Sequence, residues 1–108
     1  MYAVKTTVRV KHDAIDTLAA KFRDLNPAIV RTQPDWRGAR MLVDRERSEI
    51  TVIALWTRAE SYLAMAQSPA FTRSMRRFSG YFTSPPEVRV MEVAVEMTPE
   101  SVARGGDG

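Results

Sequence analysis

Two aromatic side chains, Trp56 and Tyr62, are the residues of this sequence best suited to hold a small hydrophobic ligand. Trp56 ends an apolar run, and Tyr62 follows six positions later on the apolar stripe of the next helical segment. Aromatic rings stack on flat ligands, and each of these rings also carries one polar group for a directed hydrogen bond. We therefore predict that any small-molecule site lies beside Trp56 and Tyr62. The alternative is that both rings only fill the core.

A set of six apolar side chains is predicted to form the walls of this site and to bind the substrate. They are Phe22, Met41, Phe71, Met75, Phe78 and Phe82. The last four recur at spacings of four, three and four, so at about 100° per residue they share one arc of a helix. The arginines of the same segment lie outside that arc. This stripe lines a ligand cavity only if the enclosed space is not already filled.

The sequence lacks the residues that most other kinds of catalytic or metal-binding site require. The chain has no cysteine, and its single histidine, His12, precedes the first predicted helix. Neither a transition-metal cluster nor a serine–histidine pair is indicated. Asp13 and Asp16 fit favourable charges near a helix start better than an acid/base pair. We predict no metal and no other cofactor.

Composition limits the class of protein. The 108 residues, 44% of them hydrophobic, are enough for one domain with a modest core. The net charge of +3 comes from interspersed residues, without the clustering typical of a nucleic-acid-binding surface. The start of the chain lacks the apolar core of a signal peptide, and no apolar run is long enough to span a membrane. We expect a cytoplasmic protein with neither a nucleic-acid nor a membrane partner.

The elements that must position these residues follow the order strand, helix, strand, strand, helix, strand. Apolar periodicity predicts strands at 4–10, 39–43, 50–56 and 88–95 and a first helix at 13–25. The second helical segment of this order consists of two pieces, 57–66 and 69–82. Asn26-Pro27 could cap the first helix and restart it for one more turn. Thr57 and Glu60 have the spacing of a capping box, and Ser68 before Pro69 is a favourable cap for the last helix.

This order predicts an α+β, ferredoxin-like βαββαβ fold with an antiparallel sheet whose helices cover one face. Strands 50–56 and 88–95 are apolar on both faces, so Ile53 and Leu55 are expected to form an apolar patch on the open face. Such a patch is expected to be covered by a second subunit, giving a homodimer joined through its sheets. The domain is predicted to span 1–97. The glycine-rich tail, 98–108, is expected to be disordered.

Three runs carry a resemblance to a known family: Trp36–Arg40, Ala54–Thr57 and Ser68–Phe71, together with the late apolar strand. With them the chain resembles the antibiotic biosynthesis monooxygenase family of dimeric α/β barrels, over roughly residues 3 to 96. That family includes quinone-forming monooxygenases, haem-degrading enzymes and members without a known activity. The resemblance therefore implies the architecture more strongly than the reaction.

Individual positions separate the subfamilies. The cofactor-free, quinone-forming members are similar in having a strand-end tryptophan and a tyrosine six positions later, here Trp56 and Tyr62. The resemblance implies that these two are the catalytic residues. The same members also have an asparagine four positions before that tryptophan, where this chain has Val52. In addition they have an arginine on the helix that corresponds to 69–82. Helical phase places Met75 and not Arg76 on the inward arc, so both polar groups are expected to be missing. The haem-degrading members have an iron-binding helix histidine, for which this chain offers no match.

The resemblance implies a cofactor-independent monooxygenase acting on a small hydrophobic aromatic or quinol-like substrate. The alternative is a non-catalytic dimer that binds a small molecule or is purely structural. RNA-recognition domains share the order of strands and helices, but their central strands display aromatic side chains, and Val4–Val10 has none. An unfilled cavity beside Trp56 favours the enzyme, and a filled core favours the alternative.

Overall fold

The structure, a computed structural model, describes residues 1–105 of the 108. Its elements in chain order are β1 (Tyr2–Arg9), α1 (Ile15–Val30), β2 (Trp36–Asp44), β3 (Glu49–Trp56), α2 (Ala59–Ala66), α3 (Pro69–Ser79), β4 (Glu87–Glu92) and α4 (Pro99–Gly105). The predicted order of elements is confirmed from β1 to β4, whereas α4 was not predicted. The boundaries differ most at the end of α1, which runs on to Val30, and at the end of β4, which stops at Glu92.

The four strands form one antiparallel sheet in the order β2-β3-β1-β4. This is the predicted ferredoxin-like arrangement. The register pairs Val4 with Ala54 on one side and with Val90 on the other. Because paired residues lie on the same face of a sheet, these three side chains all point towards the helices.

Alternation along the strands decides which side chains reach the helices. On β1, Val4 is 2% exposed and Val8 is 6% exposed, whereas Lys5, between them in sequence, is exposed on the opposite face. On β3, Ile50 and Trp56 are buried on the helix side. The period of two therefore carries Trp56 into the space between sheet and helices.

The buried residues form two separate clusters rather than one continuous core. The first cluster consists of Val8, Val10, Ala14, Ile15, Leu18 and Ile50. The second consists of Val4, Val30, Trp56, Tyr62 and Met65. The sheet and the helices enclose unfilled space between the two clusters.

Helix α1 continues through Pro27, although the sequence predicted a helix ending near Leu25. Proline removes one helical hydrogen bond and costs about 3 kcal/mol inside a helix. Val30, three residues later, is 6% exposed and belongs to the second cluster. Burial of the last turn against the aromatic residues offsets the cost of the proline.

The predicted capping box at the start of α2 is wrong. The cap residue is Arg58, which makes no side-chain cap bond. The Thr57 hydroxyl instead donates to the Asp35 carboxylate at 2.7 Å, and Glu60 forms an exposed ion pair with Arg58. A partner distant in sequence has replaced the local one. The predicted cap of α3 is confirmed, since the Ser68 hydroxyl accepts a bond from the Phe71 amide at 3.2 Å.

The inward stripe of α2 also differs from its prediction. Apolar periodicity predicts Leu63 on this stripe together with Tyr62, yet Leu63 is 48% exposed, and Met65 is buried in its place. Helix α2 has only eight residues, so its contact with the sheet is too short for periodicity alone to fix its orientation.

The open face of the sheet is more polar than the sequence predicted. Ile53 is half-buried, and the register places three exposed cations in its row: Lys5, Arg40 and Arg89. The neighbouring row is apolar and contains Leu55, Ala3 and Met91. The expected apolar patch is therefore confined to one row.

The end of the described chain also differs from its prediction. Residues of the tail expected to be disordered form α4, Pro99–Gly105. Thr98 and Ser101 form reciprocal hydrogen bonds at its start, which accounts for a helix that apolar periodicity did not indicate. Residues 106–108 lie outside the described part of the chain. Among residues 1–105, no helix is long and apolar enough to cross a membrane.

Candidate functional site

The unfilled space between the two core clusters is a cavity of about 320 Å³. Its floor is the helix-facing side of the sheet, with Val4, Thr6 and Val8 from β1 and Val52 and Ala54 from β3. The cavity is partly open to solvent, and the side chains of the two clusters do not fill it. Its volume lies at the lower end of the range of about 300–1,000 Å³ found for small-ligand pockets.

All eight side chains predicted for the site contribute to the lining of this cavity. They are Trp56, Tyr62, Phe22, Met41, Phe71, Met75, Phe78 and Phe82. Strand alternation turns Met41 of β2 and Trp56 of β3 towards the cavity. Helical phase does the same for Phe22 of α1, for Tyr62 of α2, and for the three residues of α3, which are Phe71, Met75 and Phe78. Phe82 lies beyond the end of α3 and is held by a bridge to Val10. Their contact with a ligand remains a prediction.

Trp56 and Tyr62 pack against each other at one end of the cavity. Their ring centroids lie 5.9 Å apart with an interplanar angle of 67°, an edge-on arrangement. Trp56 is 1% exposed, and its Nε1–H has no hydrogen-bond partner among the described residues. A buried donor left unpaired costs about 1–3 kcal/mol. Burial also raises the pKa of Tyr62, so its hydroxyl remains protonated well above neutral pH.

The Asp35 carboxylate fixes the aromatic residues from outside the cavity. It accepts hydrogen bonds from the hydroxyls of Thr57 and Ser61, and its backbone carbonyl accepts one from the Thr57 amide at 2.8 Å. The hydrogen bonds from the hydroxyls of Ser61 and Thr57, with smaller contributions from Arg58 and Arg37, lower the pKa of Asp35. Each of the three hydrogen-bonded residues is adjacent in sequence to an aromatic residue of the cavity wall, as Asp35 is to Trp36. Sequence analysis did not single out Asp35, because no local pattern links it to α2.

Comparison with protein families decides the classification. The family model described as antibiotic biosynthesis monooxygenase matches residues 1–77. The chain belongs to the antibiotic biosynthesis monooxygenase family. A search of curated protein sequences found no match.

Solved structures show the same fold at low sequence identity. An antibiotic biosynthesis monooxygenase is 20% identical, with a TM-score of 0.71, over 88% of this chain and 100% of that one. SnoaB from Streptomyces nogalater, a cofactor-independent oxygenase crystallised as an asparagine-to-alanine mutant, is 16% identical, with a TM-score of 0.73, over 89% and 95%. A protein from Mycobacterium tuberculosis is 16% identical, with a TM-score of 0.72, over 90% and 98%.

Two positions of this member of the antibiotic biosynthesis monooxygenase family are apolar where the resemblance to quinone-forming members implied polar groups. Both positions lie on the cavity wall. Val52 and Met75 line it, whereas Arg76 is exposed on the outer surface of α3. The choice of Met75 by helical phase is therefore confirmed. The cavity wall is apolar at both positions.

Two polar residues of the cavity wall were missed from the sequence: Thr6 on β1 and Asn26 on α1. Strand alternation would have placed Thr6 on the cavity side of β1, because it lies between the buried Val4 and Val8. Asn26 was interpreted as a helix cap because it precedes Pro27. Its spacing of four from both Phe22 and Val30 would have placed it on the inward stripe of α1.

The remaining titratable residues singled out from the sequence lie elsewhere. His12 is exposed, and its ring bonds the Ser48 hydroxyl at 3.1 Å. Asp16 is paired with Arg45 at 2.8 Å on the surface, which lowers the pKa of Asp16. Within residues 1–105, no group of three histidine, cysteine, aspartate or glutamate residues is arranged to hold a metal ion.

Proposed function

We propose that this member of the family is a cofactor-independent monooxygenase acting on a small hydrophobic aromatic or quinol-like substrate. The observation that carries the proposal is the unfilled, largely apolar cavity of about 320 Å³ bounded by the Trp56–Tyr62 pair. Apolar cavities with a few polar groups at their margins are the usual form of sites for aromatic ligands. The structural likeness to SnoaB supports the fold, and the extension to oxygenation belongs to this proposal.

The proposed reaction needs no external reductant. A reduced, anthrone-like substrate loses a proton, and the resulting anion transfers one electron to dioxygen. The two radicals combine into a peroxide anion, which takes back the proton to give a hydroperoxide. The hydroperoxide then loses water and leaves a carbonyl group. Overall, a CH₂ group and O₂ give a C=O group and H₂O, so the substrate supplies both of the electrons that reduce the second oxygen atom to water.

The cavity residues contribute orientation and charge stabilisation rather than base catalysis. Among the described lining residues, Tyr62 is the one titratable group, and its raised pKa makes it a hydrogen-bond donor near neutral pH. Nε1 of Trp56 is shielded from the cavity and has no partner among the described residues, so a substrate oxygen would pair it only after a shift of the ring. With no base in the wall, the substrate must ionise by its own acidity. The rate is therefore expected to follow the pKa of the substrate.

Oxygen uptake with anthrone, corrected for the protein-free rate, tests this proposal. Trp56→Phe keeps an aromatic ring but removes Nε1–H. We expect it to lower the uptake rate about tenfold, equivalent to about 1.4 kcal/mol of transition-state stabilisation. Trp36→Phe, which changes the other tryptophan of the wall, is the matched control and should retain more of the activity. Equal losses in both variants, or no uptake above the protein-free rate, would contradict the proposal.

A non-catalytic, small-molecule-binding protein is the second candidate. The apolar residues Val52 and Met75 favour it, since they stand where the similar quinone-forming enzymes have polar groups. The two candidates differ in one measurement. Quenching of Trp56 fluorescence by aromatic ligands in the Trp36→Phe background, without oxygen uptake, would identify a binding protein.

We also propose a homodimer joined through the open face of the sheet. The apolar row at Leu55 and Met91 would be covered by the second copy, and Met91 is 42% exposed in the single chain. All six residues of β4 are exposed, so this edge strand also has both faces available for a partner.

A further inference from the structure

The inward stripe of α1 contains one residue that apolar packing does not explain. Four residues at spacings of four line the cavity from this helix: Leu18, Phe22, Asn26 and Val30. Three of them are apolar and pack as expected. The fourth presents a carboxamide to a wall in which Val52 and Met75 are apolar.

Neither helix propensity nor internal hydrogen bonding accounts for Asn26. Asparagine inside a helix costs about 0.7 kcal/mol relative to alanine, and Asn26 precedes the already unfavourable Pro27. It does not act as a cap, since α1 begins at Ile15 and continues past it. Within residues 1–105, no hydrogen bond joins its side chain to another residue. A residue that breaks several local rules without compensation indicates a functional position.

The place of Asn26 along the helix fixes what it can contact. It lies one turn, about 6 Å along the axis, from Val30. Val30 packs in the cluster that contains Trp56 and Tyr62. Asn26 therefore lines the cavity one helical turn away from the residue through which α1 contacts the Trp56–Tyr62 end. A ligand ring stacked at that end would carry a substituent to Asn26.

We propose that Asn26 is the residue that determines specificity in this cavity, and that it selects aromatic ligands carrying a hydroxyl or carbonyl group over purely apolar ones. The amide both donates and accepts, so it suits either group. A site built to bond a hydroxyl discriminates against an analogue lacking one, because the polar group of the site is then buried unpaired. This inference rests on the proposed function in one respect, namely that the cavity holds an aromatic ligand.

A pair of probes of equal shape tests the inference. 2-Naphthol and 2-methylnaphthalene differ by a hydroxyl against a methyl group, and dissociation constants can be measured by equilibrium dialysis in anaerobic buffer, independently of any turnover. We expect the wild-type protein to prefer 2-naphthol. In Asn26→Leu the preference should reverse, because an apolar wall leaves the hydroxyl of the ligand unpaired. The ratio of the two dissociation constants should shift at least tenfold.

Two controls separate this role from a structural one. Thr6→Val removes another polar group of the wall at nearly constant shape and should leave the ratio within about twofold of the wild-type value. Asn26→Leu should melt no lower than the wild type, since leucine is the better helix former. A clearly lower melting temperature would show that the amide serves the fold and would overturn the inference.

The outcomes also distinguish this inference from the proposed function. If both probes bind but the ratio of their dissociation constants is the same in Asn26→Leu as in the wild type, or shifts equally in Thr6→Val, the specificity role is overturned. The cavity then remains a ligand site. If neither probe binds the wild-type protein, the inference and the proposed oxygenase fail together. If the probes bind and Asn26→Leu reverses their preference, but the wild-type protein takes up no oxygen with anthrone, the specificity role of Asn26 is supported and only the oxygenase is contradicted.

Discussion

At the scale of single residues, Asp35 illustrates how the surface can position a buried site. Its carboxylate bonds the hydroxyls of Thr57 and Ser61, which directly follow Trp56 and precede Tyr62 in the sequence. Both aromatic residues are thereby tied to the start of β2. Asp35 contributes no atom to the cavity wall, so it is a positioning residue and not a catalytic one.

Replacing Asp35 by alanine should loosen the aromatic pair. We expect Asp35→Ala to lower the melting temperature by a few degrees and to change the emission of Trp56, measured in the Trp36→Phe background. Asp35→Asn keeps one of the two acceptor oxygens and should fall between alanine and wild type. Unchanged Trp56 emission in Asp35→Ala would contradict the positioning role.

The pH dependence of stability follows from the direction of the Asp35 pKa shift. Its pKa in the folded chain lies below the ordinary value of 3.8, so the folded state binds fewer protons in that range than the unfolded state. The stabilisation is present above pH 3.8 and is lost as the pH falls through the lower, folded-state pKa. Asp35→Asn should flatten the acid limb of the stability curve. Asp16→Asn, which breaks the surface pair with Arg45, should flatten it similarly but leave Trp56 emission unchanged.

At the scale of elements, the start of β2 depends on one glycine. The register shifts between Trp36 and Gly38, opposite Trp56 and Leu55, and Gly38 adopts a φ of 121°. This irregularity lets Trp36 pair with Trp56 while the rest of the strand continues in step. Residues other than glycine are strained at such φ values.

The variant Gly38→Ala isolates this backbone strain. No atom lies within 4 Å of the added Cβ, so the cost is conformational and should be about 1–3 kcal/mol. Gly80→Ala is the control, because Gly80 caps α3 at a φ of −63° and also has open space around it. Urea unfolding should show Gly80→Ala unchanged or slightly stabilised. Similar losses in both variants would mean that the bulge does not require glycine.

The sequence predicted those features that depend on local periodicity and missed those that depend on distant partners. Met75 was placed on the cavity wall correctly because α3 is long enough for helical phase to be decisive. The capping box failed because Asp35, 22 residues away, binds the Thr57 hydroxyl. Asn26 was missed because its position before a proline suggested a cap, whereas tertiary packing keeps α1 intact through Pro27.

At the scale of the whole molecule, the open face of the sheet is the interface of the proposed homodimer. The helices bury one face, while the other displays the apolar row at Leu55 beside the cations Lys5, Arg40 and Arg89. Acidic groups of a second copy could pair with those cations while the apolar rows meet. Glu87, on the same face two rows from Met91, already pairs with Arg89 of its own chain at 2.9 Å.

The dimer is tested by placing a charge in the apolar row. Light scattering at micromolar concentration should give twice the 12.2 kDa mass of the chain. Leu55→Asp should shift the protein to a monomer, because the carboxylate would lose its hydration when the two apolar rows meet. Leu55 is only half-buried in the single chain and lies beside cations, so circular dichroism should show that the monomeric variant remains folded. Ala70→Asp, on the exposed surface of α3, is the control and should remain dimeric. A wild-type protein that scatters as a 12.2 kDa monomer would overturn the assembly.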